Sequence, residues 1–223
     1  MDSNSDAYSF LFFIVIAACA IIAAYIYEKK RTDALKLVAN SLGLSFSKKG
    51  RGETEQKYQS FQLFSKGHRC KIKNEMWGTR NGVDISVFGY KYTLGSGKNS
   101  STYNQTVVAM DCKNLTYPSF ELKPENMFHK IGQAFGYKDI DFDMFPEFSN
   151  KYLLRGGDES KIRDLFTPRV VRFFESNEKL CVEAQNNMLI FYKSSKRAKA
   201  KNIEAFLDEG QRVHQVFTTG WLS

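Results

Sequence analysis

The sequence predicts an α+β protein, built as an N-terminal transmembrane helix followed by an antiparallel sheet with flanking helices. Three observations predict this class. Residues 8–27 are apolar and uncharged, residues 61–112 alternate apolar and polar side chains, and residues 199–217 repeat apolar side chains at helical spacing. Because strand patterns are grouped and helical patterns flank them, the sheet is expected to be antiparallel rather than part of an alternating parallel fold.

Composition excludes several classes of protein. The chain has 223 residues, of which 43% are hydrophobic and 25% charged, so it can bury a core and is not intrinsically disordered. Its 4 cysteines lie far apart with no CxxC pair, which excludes a disulfide scaffold and a ribbon-type zinc site. A reducing compartment therefore fits best. The four are Cys19, Cys70, Cys112 and Cys181.

The uncharged stretch from Tyr8 to Tyr27 is long enough to cross a bilayer, since 20 helical residues span about 30 Å. Residues 1–7 form a short tail with two acids and no base, whereas Lys29-Lys30-Arg31 follow the stretch. The positive-inside bias places the N-terminus outside and residues 28–223 in the cytoplasm. The lipid bilayer is thus the first expected partner, through residues 8–27.

Two other interpretations of this stretch were weighed. A cleaved secretory signal needs a basic leading region and a shorter apolar core, and the stretch has neither. Ile16-Ala17-Ala18-Cys19 resembles the cleavage box of a bacterial lipoprotein, but residues 20–27 stay apolar where a lipoprotein turns polar. Both interpretations are less consistent with the sequence than a membrane-spanning helix.

Charge is unevenly distributed along the soluble part. The chain carries a net charge of +8, and residues 46–110 are its most basic segment. Each Lys or Arg near an anionic leaflet contributes about 1 kcal/mol of attraction, so a basic face would hold the domain on anionic lipid. The alternative is an ordinary solvated surface. A net positive charge without a recognisable module makes nucleic acid an unlikely partner.

Local patterns predict the individual elements of the first half. Residues 32–43 form a helix that follows or continues the membrane helix. Asn81-Gly82 suits a type I′ turn between two strands, and residues 94–102 form the loop of a second hairpin. In the strand before the turn the apolar positions alternate with Arg69, Lys71 and Lys73 and are expected on one face. They are Cys70, Ile72 and Met76.

The remaining elements follow from helix and turn signals. Pro124 is expected to open a helix with an apolar stripe through Phe135. Residues 137–150 read as an irregular link between two halves, about 28–145 and 146–223. The second half is expected to contain a strand at 152–154, a helix capped by Asp158, and a helix opened by Thr167-Pro168. A hairpin turning at Asn186-Asn187 and a last helix from about residue 199 to 217 follow.

Familiar catalytic and ligand-binding motifs are incomplete. Gly95-Ser96-Gly97-Lys98 lacks the other residues of a phosphate-binding loop. Residues 139–143 match only the first part of a calcium loop, and His68 and Cys70 alone cannot hold zinc. Common hydrolase signatures are absent from the sequence as well. No cofactor and no metal is therefore expected.

A basic and aromatic hairpin is the remaining candidate for ligand binding. Its side chains can stack on rings and neutralise phosphates. The alternative is that the tyrosines lie on a sheet face that packs under a helix, and the basic run 193–201 is a second, weaker candidate. The predicted ligand-binding residues are Arg69, Lys71, Lys73, Tyr90, Tyr92 and Lys98.

The stretch Phe88–Lys98 followed by Gln105–Val108 resembles a family of uncharacterised bacterial single-pass membrane-anchored proteins. The resemblance extends weakly through Phe148–Leu154 and Ile162–Phe166 and covers much of the soluble part. It implies a bacterial inner-membrane location and no particular site residues, because the family has no assigned activity.

These observations favour a non-enzymatic protein with a single membrane span. Its cytoplasmic domain would act as a binding or scaffold domain at the membrane surface, for anionic lipid or a protein partner. The alternative is a membrane-tethered enzyme whose site is built from residues distant in sequence.

Overall fold

The computed structural model describes residues 3–113, 115–127 and 139–218. The fold is α+β, with a long N-terminal helix and an antiparallel sheet of eight strands. The helices are α1 (Ser3–Ser41), α2 (Gly52–Tyr58), α3 (Gln62–Ser65), α4 (Pro146–Lys151), α5 (Glu159–Leu165), α6 (Pro168–Ser176) and α7 (Ile203–Thr218). The strands are β1 (Ser45–Ser47), β2 (His68–Arg80), β3 (Val83–Leu94), β4 (Ser101–Asp111), β5 (Tyr117–Pro124), β6 (Tyr152–Gly156), β7 (Cys181–Asn186) and β8 (Met188–Tyr192).

Helix α1 runs without a break from the apolar stretch into the folded domain. The apolar part of the helix is exposed, and the helix is long and apolar enough to cross a membrane. Two turns beyond it, Leu35 and Ala39 are buried in the domain core. The helix ends at Ser41, and Gly43 adopts a positive φ of 68° as the C-terminal stop. The helix predicted at residues 32–43 is confirmed as far as Ser41, and of the two alternatives it continues the apolar helix rather than following it.

The sheet has the strand order β1-β2-β3-β4-β8-β7-β5-β6, and every neighbouring pair is antiparallel. Asn81 and Gly82 both have positive φ, as a type I′ turn between β2 and β3 requires. Both predicted hairpins of the first half and the hairpin at residues 186–187 are confirmed. Strands from residues 28–145 and from 146–223 pair directly, so one sheet spans both predicted halves.

Each face of the sheet is covered by helices. The larger face, here called the α1 face, carries Met76, Val87 and Val108 and packs against the end of α1 and against α4 to α7. The opposite face, the aromatic face, carries the side chains of Phe88 and Tyr90 and lies under α2 and α3. The prediction that Ile72 and Met76 share a face is wrong, because Ile72 belongs to the aromatic face.

The expectations for residues 124–150 need correction. Pro124 does not open a helix; it is the last residue of β5, paired with Tyr152, and a single 3-10 turn follows at Glu125–Met127. Proline is tolerated there because a strand end has no further ladder bond to donate. The rest of the predicted helix, residues 128–135, lies outside the described residues. The link also contains α4, so it is not wholly irregular.

The packing of α1 against the domain core leads to a testable prediction. Leu35 is 2% exposed and Leu37 is 69% exposed on the same helix. Leu35→Ala should lower the free energy of unfolding by about 2 to 5 kcal/mol, as for other buried leucines. Leu37→Ala should change it by less than about 0.5 kcal/mol. Urea unfolding of the full chain in mild detergent, followed by circular dichroism, measures both; equal effects would contradict packing of α1 against the core.

Candidate functional site

A cleft lies where α1 leaves its apolar stretch and crosses strands β2, β3 and β4. We call it the basic cleft; its volume is ≈ 320 Å³. A neighbouring hollow of ≈ 520 Å³ shares Glu28, Lys71, Lys73 and Asn74 with it and extends to Tyr25, in the last turn of the apolar stretch. The basic side chains that line the cleft are Arg31, Lys71, Lys73, Lys91 and Arg197, and the one acid is Glu28.

Strand pairing determines which side chains enter the cleft. Lys71 lies opposite Lys91 and Lys73 lies opposite Gly89 in the β2–β3 ladder. Because side chains alternate along a strand, these residues lie on the α1 face, whereas Ile72 and Tyr90 between them lie on the aromatic face. Gly89 contributes no side chain, which leaves space in the sheet surface beside Lys73.

A β-bulge in β2 sets this arrangement. The register shifts between Lys73 and Met76, and Asn74 within the bulge has a φ of 51°. Asparagine adopts this left-handed conformation more readily than most residues. The backbone N–H of Asn74 donates to the carbonyl oxygen of Lys48 at 3.0 Å. Lys71 and Lys73 precede the bulge in the chain. Because of the extra residue, their side chains lie on the face opposite to the one that they would occupy in an unbulged strand.

The buried carboxylate of Glu75 fixes the bulge from the aromatic side. Its Oε2 accepts from the backbone N–H of Arg51 at 2.6 Å, and its Oε1 accepts from Arg51 Nη2 at 2.9 Å and Thr54 Oγ1 at 2.8 Å. The Arg51 guanidinium also lies 4.5 Å from the centroid of the Trp77 ring. These bonds satisfy a carboxylate that is 0% exposed and tie β2 to the start of α2.

An ion pair connects the mouth of the cleft to α1. Arg197, in the connection between β8 and α7, donates from Nη1 and Nη2 to the two carboxylate oxygens of Glu28 at 2.7 and 2.9 Å. Such a two-point pair has defined geometry, because both groups are planar. The hydrogen bonds to Glu28 raise the pKa of Arg197 above its ordinary value.

The structure brings together only part of the predicted ligand-binding set. Lys71, Lys73 and Tyr90 line the basic cleft. Tyr90 and Tyr92 are 1% and 2% exposed and stack within the aromatic face, with ring centroids 5.7 Å apart. This placement agrees with the alternative interpretation of the tyrosines as packing residues.

The two other predicted ligand-binding residues, Arg69 and Lys98, lie elsewhere on the surface. Both are exposed, Arg69 next to a second register shift in β2 and Lys98 in a 3-10 turn within the β3–β4 loop. Sequence reasoning did not assign Arg31 to the site, whereas Lys91 belongs to the predicted basic and aromatic hairpin and Arg197 to the second candidate, the basic run 193–201. The positive residues directly after the apolar stretch were a signal for Arg31, but the contributions of Lys91 and Arg197 depend on strand register and loop path.

A buried cysteine–histidine contact is a second place where reactive side chains meet. Cys112 Sγ lies 3.4 Å from His214 Nδ1, and Tyr117 Oη lies 2.9 Å from the same nitrogen. Burial raises the pKa of Cys112 to about 11 and lowers that of His214. At neutral pH the thiol stays protonated, so this pair is not an activated nucleophile.

A second buried cluster surrounds Glu183. Its carboxylate accepts from the Leu63 backbone N–H at 3.1 Å and from Tyr192 Oη at 2.9 Å, and Lys123 Nζ lies 3.6 Å away. Burial lowers the pKa of Lys123 to about 7. The adjoining pocket has a volume of ≈ 50 Å³, well below the about 300 Å³ at which small-molecule sites begin, so the cluster ties α3 to the sheet rather than receiving a substrate. Within the described ranges, no group of three or more His, Cys, Asp or Glu side chains could hold a metal ion.

Comparisons with known proteins show the fold and no more. No protein-family model matches the chain, and no curated protein matches it. Among solved structures, the crystal structure of the mycobacterial trehalose monomycolate transport factor A, TtfA, is similar, with a TM-score of 0.61. The two sequences are 14% identical, and the match covers 83% of this chain and 91% of that chain. The chain therefore shares the fold of this solved structure.

The Glu75 network makes a prediction about the site. Glu75→Gln removes the charge that Arg51 and Thr54 hold, and breaking a buried pair from one side typically costs about 3 to 5 kcal/mol. Glu53→Gln is the matched control, because Glu53 pairs with the same Arg51 at 3.0 Å but is 71% exposed. That control should cost less than about 1 kcal/mol. Urea unfolding of the full chain checks both; similar losses would show that Glu75 does not hold the bulge.

Proposed function

We propose that this is a single-span protein of the bacterial inner membrane, with its N-terminus outside, that presents a cytoplasmic binding domain at the membrane surface. One observation carries the proposal. Helix α1 passes without a break from its apolar stretch into the domain core, and the basic cleft begins in the first turn beyond that stretch.

The length of this join supports a position of the cleft close to the lipid headgroups. Glu28 and Arg31 lie within four residues of Tyr27, which is about 6 Å along a helix. The headgroup layer on each side of a bilayer is about 5 to 8 Å thick. Since Leu35 is buried in the domain, the domain surface around the cleft has little freedom to leave the membrane.

The charge pattern supports the proposed orientation of the chain, and the structural similarity supports a role at a membrane. The cluster Lys29-Lys30-Arg31 favours the cytoplasmic side for the domain. A surface with an excess of cations is attracted to an anionic leaflet. The similar solved structure belongs to a transport factor, which supports a role at a membrane. The buried pairs at Cys112 and Lys123 do not favour the alternative of a membrane-tethered enzyme.

Cysteine labelling in intact bacterial cells tests this proposal. Met144 is 87% exposed on the loop before α4, so Met144→Cys offers a thiol on the domain surface. With the exposed and half-buried native Cys19 and Cys70 replaced by Ser, the new thiol should react with a membrane-impermeant maleimide only after lysis.

A second variant gives the opposite outcome in the same assay. Ser5→Cys, in the tail before the apolar stretch, should react in intact cells. Labelling of Met144→Cys before lysis would reverse the orientation and refute the cytoplasmic domain. A chain recovered in the soluble fraction would refute the membrane span.

A further inference from the structure

We infer that the basic cleft is a binding site for the phosphate group of an anionic membrane lipid. This inference rests on the proposed function for the position of the cleft beside the headgroups. It goes beyond general attraction of a basic surface, because it assigns one site with defined residues.

The first observation is that two lysines are paired directly across neighbouring strands. Lys71 and Lys91 are directly opposed across β2 and β3, where β-carbons lie about 4.5 to 5.5 Å apart. Like charges in such positions destabilise a sheet unless an anion lies between them. No carboxylate in the described part of the chain lies within 4.0 Å of either ammonium group.

The other cations of the cleft are only partly neutralised. Glu28 forms its two-point pair with Arg197, which leaves Arg31 and Lys73 without an ion pair to any described carboxylate. The Nε of Arg31 is buried and has no hydrogen-bond partner among the described residues. A buried donor without an acceptor costs free energy that an incoming phosphate oxygen would recover.

The shape of the cleft suits a headgroup. A volume of ≈ 320 Å³ lies at the lower end of the range for small-molecule sites. Gly89 leaves room beside Lys73, since a β-carbon there would lie 3.3 Å from the Lys73 carbonyl oxygen. The neighbouring hollow adds three bases, Lys29, Lys48 and Lys49, and one further acid, Glu55, so its surface keeps an excess of positive charge.

The position of the hollow favours a lipid over free phosphate. It reaches Tyr25, which lies within the apolar stretch of α1, so on the proposed function the hollow would open beside the lipid chains as well as the headgroups. A lipid could place its phosphate among the lysines while its acyl chains remain in the bilayer. A free anion would gain nothing from this position.

Lipid retention by the full chain tests the inference. The chain is reconstituted in nanodiscs containing equal amounts of phosphatidylglycerol and phosphatidylcholine, exchanged into mild detergent, and analysed for bound lipid by native mass spectrometry. The unaltered chain should retain phosphatidylglycerol in preference to phosphatidylcholine. Lys71→Gln with Lys73→Gln should lower that preference about 25-fold, because each lysine near anionic lipid contributes about a fivefold factor.

A charge-matched variant provides the control. Lys57→Gln with Lys113→Gln removes the same two charges, and these lysines pair with Asp111 and Asp84 at the other end of the β3–β4 ladder. That end lies seven residues from Lys91 along β3, or about 24 Å. The control should retain phosphatidylglycerol as the unaltered chain does. All variants are compared by thermal unfolding, since the four lysines are exposed or half exposed.

The results of these experiments distinguish failure of the inference from failure of the proposed function. Equal retention by the cleft variant and the control overturns the inference. Displacement of phosphatidylglycerol by millimolar inorganic phosphate would also overturn the lipid assignment and show a site for the free anion. If the preference is absent while Met144→Cys still reacts only after lysis, the inference fails and the proposed function stands. Met144→Cys labelled in intact cells would instead refute the proposed function.

Discussion

The β-bulge at Asn74 and Glu75 is the constraint on which the arrangement of the site depends. Two residues of β2 lie opposite one residue of β3 there, and the extra residue reverses the faces of the side chains that precede it. As a result Ile72 joins the aromatic core, while Lys71 and Lys73 lie beside α1. Without the bulge, Lys71 and Lys73 would lie on the same face as Tyr90 and Tyr92.

The bulge explains why the fold could be predicted from the sequence, whereas the site could be predicted only in part. The apolar stretch of α1, the turn at Asn81-Gly82 and the Asp158 cap depend on local signals that a single sequence carries. The grouping of lysines with tyrosines assumed a regular hairpin, in which alternation continues without interruption. The bulge depends instead on Glu75 meeting Arg51, which lies 24 residues earlier in the chain.

Other parts of the site come from the path of the chain between elements. Arg197 reaches Glu28 across 169 residues of sequence, and their pairing follows from the place where the β8–α7 connection passes α1. Pro124 shows the same limit, because the proline that was expected to begin a helix is the last residue of a strand paired with Tyr152. In both cases strand order decides the outcome, and strand order is set by the whole sheet.

Three physical elements meet at one place: a helix long and apolar enough to span a membrane, a domain core that holds the end of that helix, and a cleft with an excess of cations. The most direct test measures how close this cleft lies to the headgroups. A fluorophore is attached at Lys49→Cys, beside the cleft, or at Lys113→Cys, at the far end of β4, in a chain with Cys19 and Cys70 replaced. In nanodiscs whose lipids carry nitroxide headgroups, the account predicts strong quenching at position 49 and little at position 113. Equal quenching, or stronger quenching at position 113, would contradict it.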